Sequence, residues 1–172
     1  MQKIARRKKS NANIPLFICL GAIIAMVIKI FALDFYIVKG FSMEPSVKNG
    51  QTIAANKLFY GLQNPFKPEL AVSWNEPKAG EVVLYMYQNY WVVKRCVATG
   101  GTELRCKQEG EDYFLFVGKE KIPLTSIQYH KLKTSQKIPQ GYILAIGDNS
   151  AISHDSRDYG FVPVKNIVAR VH

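Results

Sequence analysis

The chain has 172 residues, 48% of them hydrophobic and 12% aromatic, with 23 basic against 13 acidic side chains and a formal net charge of +10. That length suits one compact domain plus a tail or anchor, and the aromatic content excludes a disordered chain. Three cysteines are too few for a disulfide scaffold, and twelve glycines and eight prolines without a period exclude a collagen-like chain.

The charge is unevenly placed. Lys3, Arg6, Arg7, Lys8 and Lys9 lie in the first nine residues, and no acid appears before Asp34. A basic arm suits nucleic acid or anionic lipid, and the segment that follows decides between them. Ile14 to Leu33 carries one charge, Lys29, in twenty positions. As a helix it would rise roughly 30 Å, the thickness of a bilayer core. A cleavable export signal has a shorter apolar region and ends in small residues, whereas DFYIVKG follows here. The pattern predicts an uncleaved transmembrane anchor over residues 14–33, and a buried core helix is the other reading of the same stretch. Residues 1–13 would then be a cytoplasmic tail by the positive-inside rule, with residues 34–172 on the outer face and no role in binding nucleic acid.

The outer segment reads mainly as β. Asp34–Gly40 is expected as a strand leaving the membrane, and Gln51–Phe59 as a second after the turn Lys48-Asn49-Gly50. Gly61–Gly80 carries three prolines and reads largely as loop. Glu81–Tyr87 and Tyr90–Ala98 form a hairpin about Gln88-Asn89. Residues 102–107 and 112–118 read as a second pair around Glu109-Gly110, 119–140 are polar and unassigned, and 141–147 and 161–171 are further apolar strands. The sum is a coiled, partly closed antiparallel β-sheet domain with a small β lobe over about 102–140 and one N-terminal transmembrane helix.

Three segments carry chemistry. In GFSMEPSVKNG, residues 40–50, Ser42 stands at a strand end and Pro45 stops regular continuation. A serine there can be exposed with its backbone N–H turned toward an incoming carbonyl, as acyl transfer needs; it reads equally as a turn-capping hydroxyl. In YWVVKRCVATGG, residues 90–101, alternation puts Lys94 with Val92 and Cys96 on one face and Arg95 on the other. Burial lowers the pKa of an amine, and a neutral lysine is a general base for a serine hydroxyl; the alternative is a stem along the strand with its head in water. GDNSAISHDSRDYGFVP, residues 147–163, is a dense polar loop that orients residues from elsewhere, binds a cation, or is simply a solvated turn. Its spacing does not match an EF-hand.

Taken in order, Ser-Met-x-Pro after an anchor, Lys-Arg on an apolar strand, and Gly-Asp-Asn…Ser-x-Asp-Ser-Arg…Gly-Phe-Val-Pro resemble the type I signal peptidases of bacteria. The resemblance runs from Phe35 to the C-terminus, loosely over 102–140. It implies that Ser42 is the nucleophile, with its backbone N–H at the oxyanion, and that Lys94 is the general base. It further implies that Ser153 hydrogen-bonds and orients Lys94, and that Asp148, Asp155 and Arg157 shape the site. No metal or cofactor is implied. Some members have a serine two residues before the nucleophile, where this chain has Gly40; other members also have glycine. The implied substrates are secreted preproteins with small residues, Ala-x-Ala, before the cut. The implied setting is the outer face of the cell membrane, in contact with lipid and the export machinery, as a monomer. Phe35, Tyr36, Ile37, Phe41 and Met43 would make an apolar surface near the nucleophile that dips into the interface, or would simply be buried in the strand.

The rival readings are a Ser-His-Asp hydrolase, a self-cleaving repressor, a peptidase that processes conjugative pilins, and a non-catalytic outer-face binding module. Cys19 would be a buried free thiol in the span. Cys96 and Cys106 flank Gly100-Gly101, and a hairpin there would bring them within disulfide range; if the chain leaves the sheet at Gly101 they stay apart.

Overall fold

The computed structural model describes residues 13–64 and 66–172, so the basic tail expected over 1–13 lies outside them except for Asn13. Ile14–Phe31 is the helix α1, with a proline in its first turn and Lys29 in its last, where a cation suits the C-terminal end of the dipole. Every residue from Ile14 to Lys29, Cys19 among them, is exposed, so that thiol is not buried by the protein. Eighteen residues rise roughly 27 Å, and among the described residues no helix is long and apolar enough to cross a membrane. The helix is shorter than the expected 14–33 because the sheet captures the chain. Ala32 O accepts from Lys57 N at 2.8 Å, and Leu33 opens β1, Leu33–Ile37, which pairs antiparallel with β2, Thr52–Asn56.

Within the proline-rich stretch a short hairpin forms from β3, Gly61–Gln63, and β4, Leu70–Ser73. Gly61 permits it, since a Cβ there would stand 2.1 Å from Val72 O. Next come β5, Val82–Tyr87, and β6, Tyr90–Thr99, paired as expected about Gln88-Asn89. Both turn residues have positive φ, +46° and +66°, as a two-residue type I′ connection requires. At Gly101, φ +86°, the chain leaves the sheet. It builds a separate three-stranded sheet from β7, Leu104–Glu109, β8, Asp112–Val117, and β9, Glu120–Leu124.

The unassigned stretch 119–140 therefore holds a strand and also α2, Ser126–Leu132. Thr125 and Gln128 close a reciprocal cap on that helix, a spacing that marks a helix start. The chain ends with β10, Tyr142–Ile146, the one-turn helix α3, Ser156–Tyr159, the short β11, Val162–Pro163, and β12, Ile167–Val171.

The main sheet has the order β1-β2-β12-β5-β6-β10-β11, with antiparallel pairings throughout. Pairing leaves β1 and β11 as edges. Met43, Ile53, Leu84 and Val168 form the core beneath β1, β2 and β12. Tyr85, Cys96, Ile143 and Ile167 pack beneath β5, β6 and β10. A third cluster joins Leu115, Val117 and Ile122 of the small sheet to Ala98, Leu144 and Ile146. Removing each large aliphatic side chain from water is worth about 1.5–3 kcal/mol, so this cluster is what holds the small sheet to the large one. Of the expected apolar surface, Phe35, Ile37 and Phe41 are exposed, Met43 is in the core, and Tyr36 packs against Trp91 with ring centroids 6.0 Å apart.

Cys96 lies buried in the main sheet, and Cys106 lies in the small sheet opposite Leu115; all three cysteines are free. Mapping of non-reduced peptides by mass spectrometry will find Cys96 and Cys106 unlinked. A Cys96–Cys106 peptide would contradict the course of the chain after Gly101.

Candidate active site

Ser42 follows β1 in a tight segment set by local bonds. Gly40 takes φ +111°, and its N–H donates to Asn49 Oδ1 at 3.0 Å. Glu44 N donates to Phe41 O and Val47 N to Met43 O, while the Met43 side chain, 1% exposed, roots the segment in the core. The segment crosses to β6, where Lys94 is 4% exposed. Lys94 Nζ stands 2.6 Å from Ser42 Oγ. Burial is the largest influence on the Lys94 amine, and with the Arg157 charge it holds the pKa below the ordinary lysine value, against the opposing pull of Asp155 and Asp148.

Those two carboxylates each have an arginine. Arg95, on the opposite face of β6 from Lys94, donates to Asp148 from Nε at 2.8 Å and from Nη2 at 2.6 Å, and also to Gly80 O and Ser46 Oγ. Arg157 and Asp155 are both buried and share two bonds of 2.9 Å. Burial alone would raise the Asp155 pKa, but Arg157 and the Gly147 N–H hold it below the usual carboxylate range. Arg95 does the same for Asp148 against its desolvation. Asp155 also caps α3, accepting from Arg157 N at 3.1 Å. Arg157 reaches on to Pro123 O, Ser150 O and Ser153 O.

Ser153 is buried beside this pair. Its hydroxyl lies near enough to Asp155 to favour the ionised carboxylate, yet its Oγ has no hydrogen-bond partner of good geometry among the described residues, so the expected Ser153–Lys94 bond is not made here. Gly147 explains the tight fit: a Cβ would fall 2.3 Å from Ser153 Oγ and 2.4 Å from Ser42 O. Asn149 N donates to that same Ser42 carbonyl at 3.0 Å. The Ser42 N–H makes no hydrogen bond within the described residues. His154 points outward to Asp158 at 3.4 Å, with its side chain 69% exposed, which removes the Ser-His-Asp reading.

Comparison with known proteins decides the family. Residues 12–172 match the family model described as "Signal peptidase, peptidase S26". The chain belongs to this family. It is similar to signal peptidase I of Bacillus caldolyticus, 24% identical over 96% of this chain and 91% of that protein. Signal peptidase IB of Staphylococcus aureus is 27% identical over 95% and 88%. The chloroplastic thylakoidal processing peptidase 1 of Arabidopsis thaliana is 31% identical over 75% of this chain and 38% of its own length. A crystal structure of a signal peptidase I from Enterococcus faecalis covers 58% of this chain and all of its own at 16% identity and TM-score 0.43, a likeness too slight to add to the assignment. Membership makes the chain a serine endopeptidase that removes signal peptides, not a passive binding module.

Several contributors carried no sequence signal of their own. Pro123 and Ser150 act through backbone carbonyls, and Ser156 through a hydroxyl that accepts from Ala145 N at 3.0 Å. The Asp155-x-x-Asp158 cap has a sequence signal, since a side-chain acceptor three residues before another acid marks a helix start.

Replacing Arg157 by Met leaves the Asp155 carboxylate buried without its partner, and should cost about 3–5 kcal/mol, seen as a lower urea midpoint. Because its folded pKa is depressed, Asp155 contributes stability that is present above its unfolded pKa of about 3.9 and is lost as pH falls through the folded value. Unfolding midpoints across the acid range should therefore drop more steeply for the parent than for Asp155→Asn. An unchanged midpoint in Arg157→Met would contradict this account of the pair.

Proposed function

We propose that the chain removes signal peptides from exported preproteins with Ser42 as nucleophile and Lys94 as general base. The observation that carries this is the 2.6 Å contact between Ser42 Oγ and a buried amine of lowered pKa. Neutral Lys94 accepts the hydroxyl proton as Ser42 Oγ attacks the carbonyl carbon of the scissile bond. Negative charge gathers on the carbonyl oxygen, where the Ser42 N–H donates. The Lys94 ammonium then protonates the departing amine, which leaves as the new N-terminus of the exported protein. An acyl-enzyme remains on Ser42, and water activated by the same amine releases the signal peptide. In this reading Ser153, buried beside Asp155, supports the surroundings of the Lys94 amine. Asp148, Asp155 and Arg157 keep the loop and the charges around Lys94 in place.

The same reading gives the chain three parts: a cytoplasmic tail over 1–13, a membrane anchor over 14–33, and an outer peptidase domain over 34–172, coiled and partly closed. A helix apolar on all sides needs a core or a bilayer around it, and α1 is exposed along its described length. Leu33, Phe35 and Ile37, outward on β1, continue that apolar surface past the end of the helix, and anchoring beside the membrane raises the effective concentration of emerging substrate.

Ser42→Ala and Lys94→Ala should each cut turnover of a preprotein by roughly 10,000-fold or more, as members of one unit. Lys94→Arg should fail as well, since a guanidinium stays protonated. Ser153→Ala should lose something like 10- to 1000-fold, the scale of a lost positioning contact. Full activity in either dyad variant would overturn the assignment. Turnover of the parent should rise with pH as Lys94 sheds its proton, with a midpoint below about 10.4; a flat profile from mildly acidic to alkaline pH would remove Lys94 as base.

A further inference from the structure

A one-turn helix such as α3 is too short to hold itself in place, so tertiary bonds set its position. Three of them come from one stretch of the small lobe. Arg157 Nη1 donates to Pro123 O of β9 at 3.2 Å, Gln128 Nε2 of α2 donates to Asp158 Oδ1 at 2.7 Å, and Lys131 Nζ of α2 donates to Asp158 O. The helix α2 is itself firmly backed, since Leu132 and Tyr129 pack into the cluster that joins the two sheets. Gln128 is 7% exposed, and a buried amide is costly unless its polar atoms are paired. Both are: Nε2 meets Asp158, and Oε1 accepts from Thr125 N at 3.0 Å.

Asp158 divides its carboxylate between two elements. Oδ2 accepts from Asp155 N at 3.0 Å and closes the cap of α3. Oδ1 goes to Gln128, 30 residues earlier in the helix that follows the small sheet. A cap needs only the first of these bonds. His154 Nδ1 lies 3.4 Å from Oδ2, but that side chain is 69% exposed, and an exposed pair contributes little. From Asp155 the bonds continue inward. Asp155 Oδ2 accepts from Gly147 N at 3.1 Å. Gly147 packs so closely on the nucleophile's backbone that a Cβ there would stand 2.4 Å from Ser42 O. Asp155 also acts electrostatically on Lys94.

We propose that Gln128 and Asp158 are positioning residues for the reaction, a tether by which α2 of the small lobe holds Asp155 and Gly147 in register with Ser42 and Lys94. The proposal rests on the Ser42–Lys94 reading above. Neither residue touches the reacting atoms; they act through Asp155 and Gly147. Loosening the tether should therefore lower kcat rather than raise KM, because a small misplacement of reacting groups slows the chemistry of a substrate that still binds.

An exchange of donor and acceptor in the full-length protein tests this, with a preprotein as substrate. Gln128→Glu sets two carboxylates against each other, and Asp158→Asn sets two amide N–H groups against each other while Gln128 keeps its bond from Thr125. Each alone should lower kcat by about tenfold and leave KM within about twofold of the parent. Gln128→Glu combined with Asp158→Asn rebuilds the contact in reverse. The amide at 158 then donates to the carboxylate at 128, its oxygen still accepts from Asp155 N, and the other carboxylate oxygen still accepts from Thr125 N. The combined variant should recover kcat to within about threefold of the parent, a strongly non-additive result. Turnover is taken per folded molecule, with the folded fraction read from near-ultraviolet circular dichroism. Parental kcat in the single variants would overturn the tether, as would a combined variant no faster than the singles. Singles that lose only folded fraction would make the contact merely structural and overturn its positioning role. Gln128→Met removes the donor without adding charge; it should show the same loss of kcat at unchanged KM, and parental kcat there would equally overturn the tether. Failure of the folded parent to cleave the preprotein would instead overturn the underlying peptidase reading.

Discussion

A lysine can act as a base near neutral pH only if its surroundings favour the amine over the ammonium, and Lys94 meets Ser42 under that constraint. Burial supplies the bias, but two carboxylates stand nearby and pull the other way. A free carboxylate near an amine favours the charged form. Unshielded, that pull would oppose what burial achieves. Each carboxylate is instead matched by an arginine, Asp155 by Arg157 and Asp148 by Arg95. The arginines spend the negative charge, leaving desolvation as the dominant influence on Lys94.

The fold delivers these groups from distant parts of the chain. One strand, β6, presents Lys94 inward and Arg95 outward, so consecutive residues meet Ser42 on one face and Asp148 on the other. The segment after β1 crosses to meet them, pinned by Met43 in the core and by the bond from Asn149 to Ser42 O. The loop after β10 is organised by the Asp155 cap of α3, and Arg157 extends from that cap to the small sheet at Pro123. A side chain at Gly147 would force Ser42 and Ser153 apart. The site therefore depends on both sheets, although Ser42 and Lys94 belong to the larger one.

Much of this is legible in the sequence. Period-two alternation placed Lys94 inward, and Gln88-Asn89 marked its hairpin. The order of the three motifs pointed to the family to which the chain belongs. Other features were hidden for physical reasons. Strand order depends on long-range pairing, so nothing local showed that β12 inserts between β2 and β5. Short β3 and β4 sit among prolines that mask strand character, and polar 119–140 held a strand whose inward Ile122 and Leu124 are too few to set a pattern. The partner of the Ser153 hydroxyl is not legible in sequence, because close packing against Gly147 sets where its Oγ lies. Backbone carbonyls such as Pro123 O and Ser150 O leave no residue-type signature at all.

Direct titration of the Lys94 side chain tests the central claim most closely. With lysine labelled with carbon-13 at the ε position, and Lys94→Met used to assign its resonance, the chemical shift can be followed against pH in the parent and in Ser42→Ala. The Lys94 signal should titrate with a midpoint clearly below the ordinary lysine value of about 10.4, and Arg157→Met should move that midpoint upward as Asp155 loses its counter-charge. A Lys94 midpoint at or above the ordinary value would contradict the account.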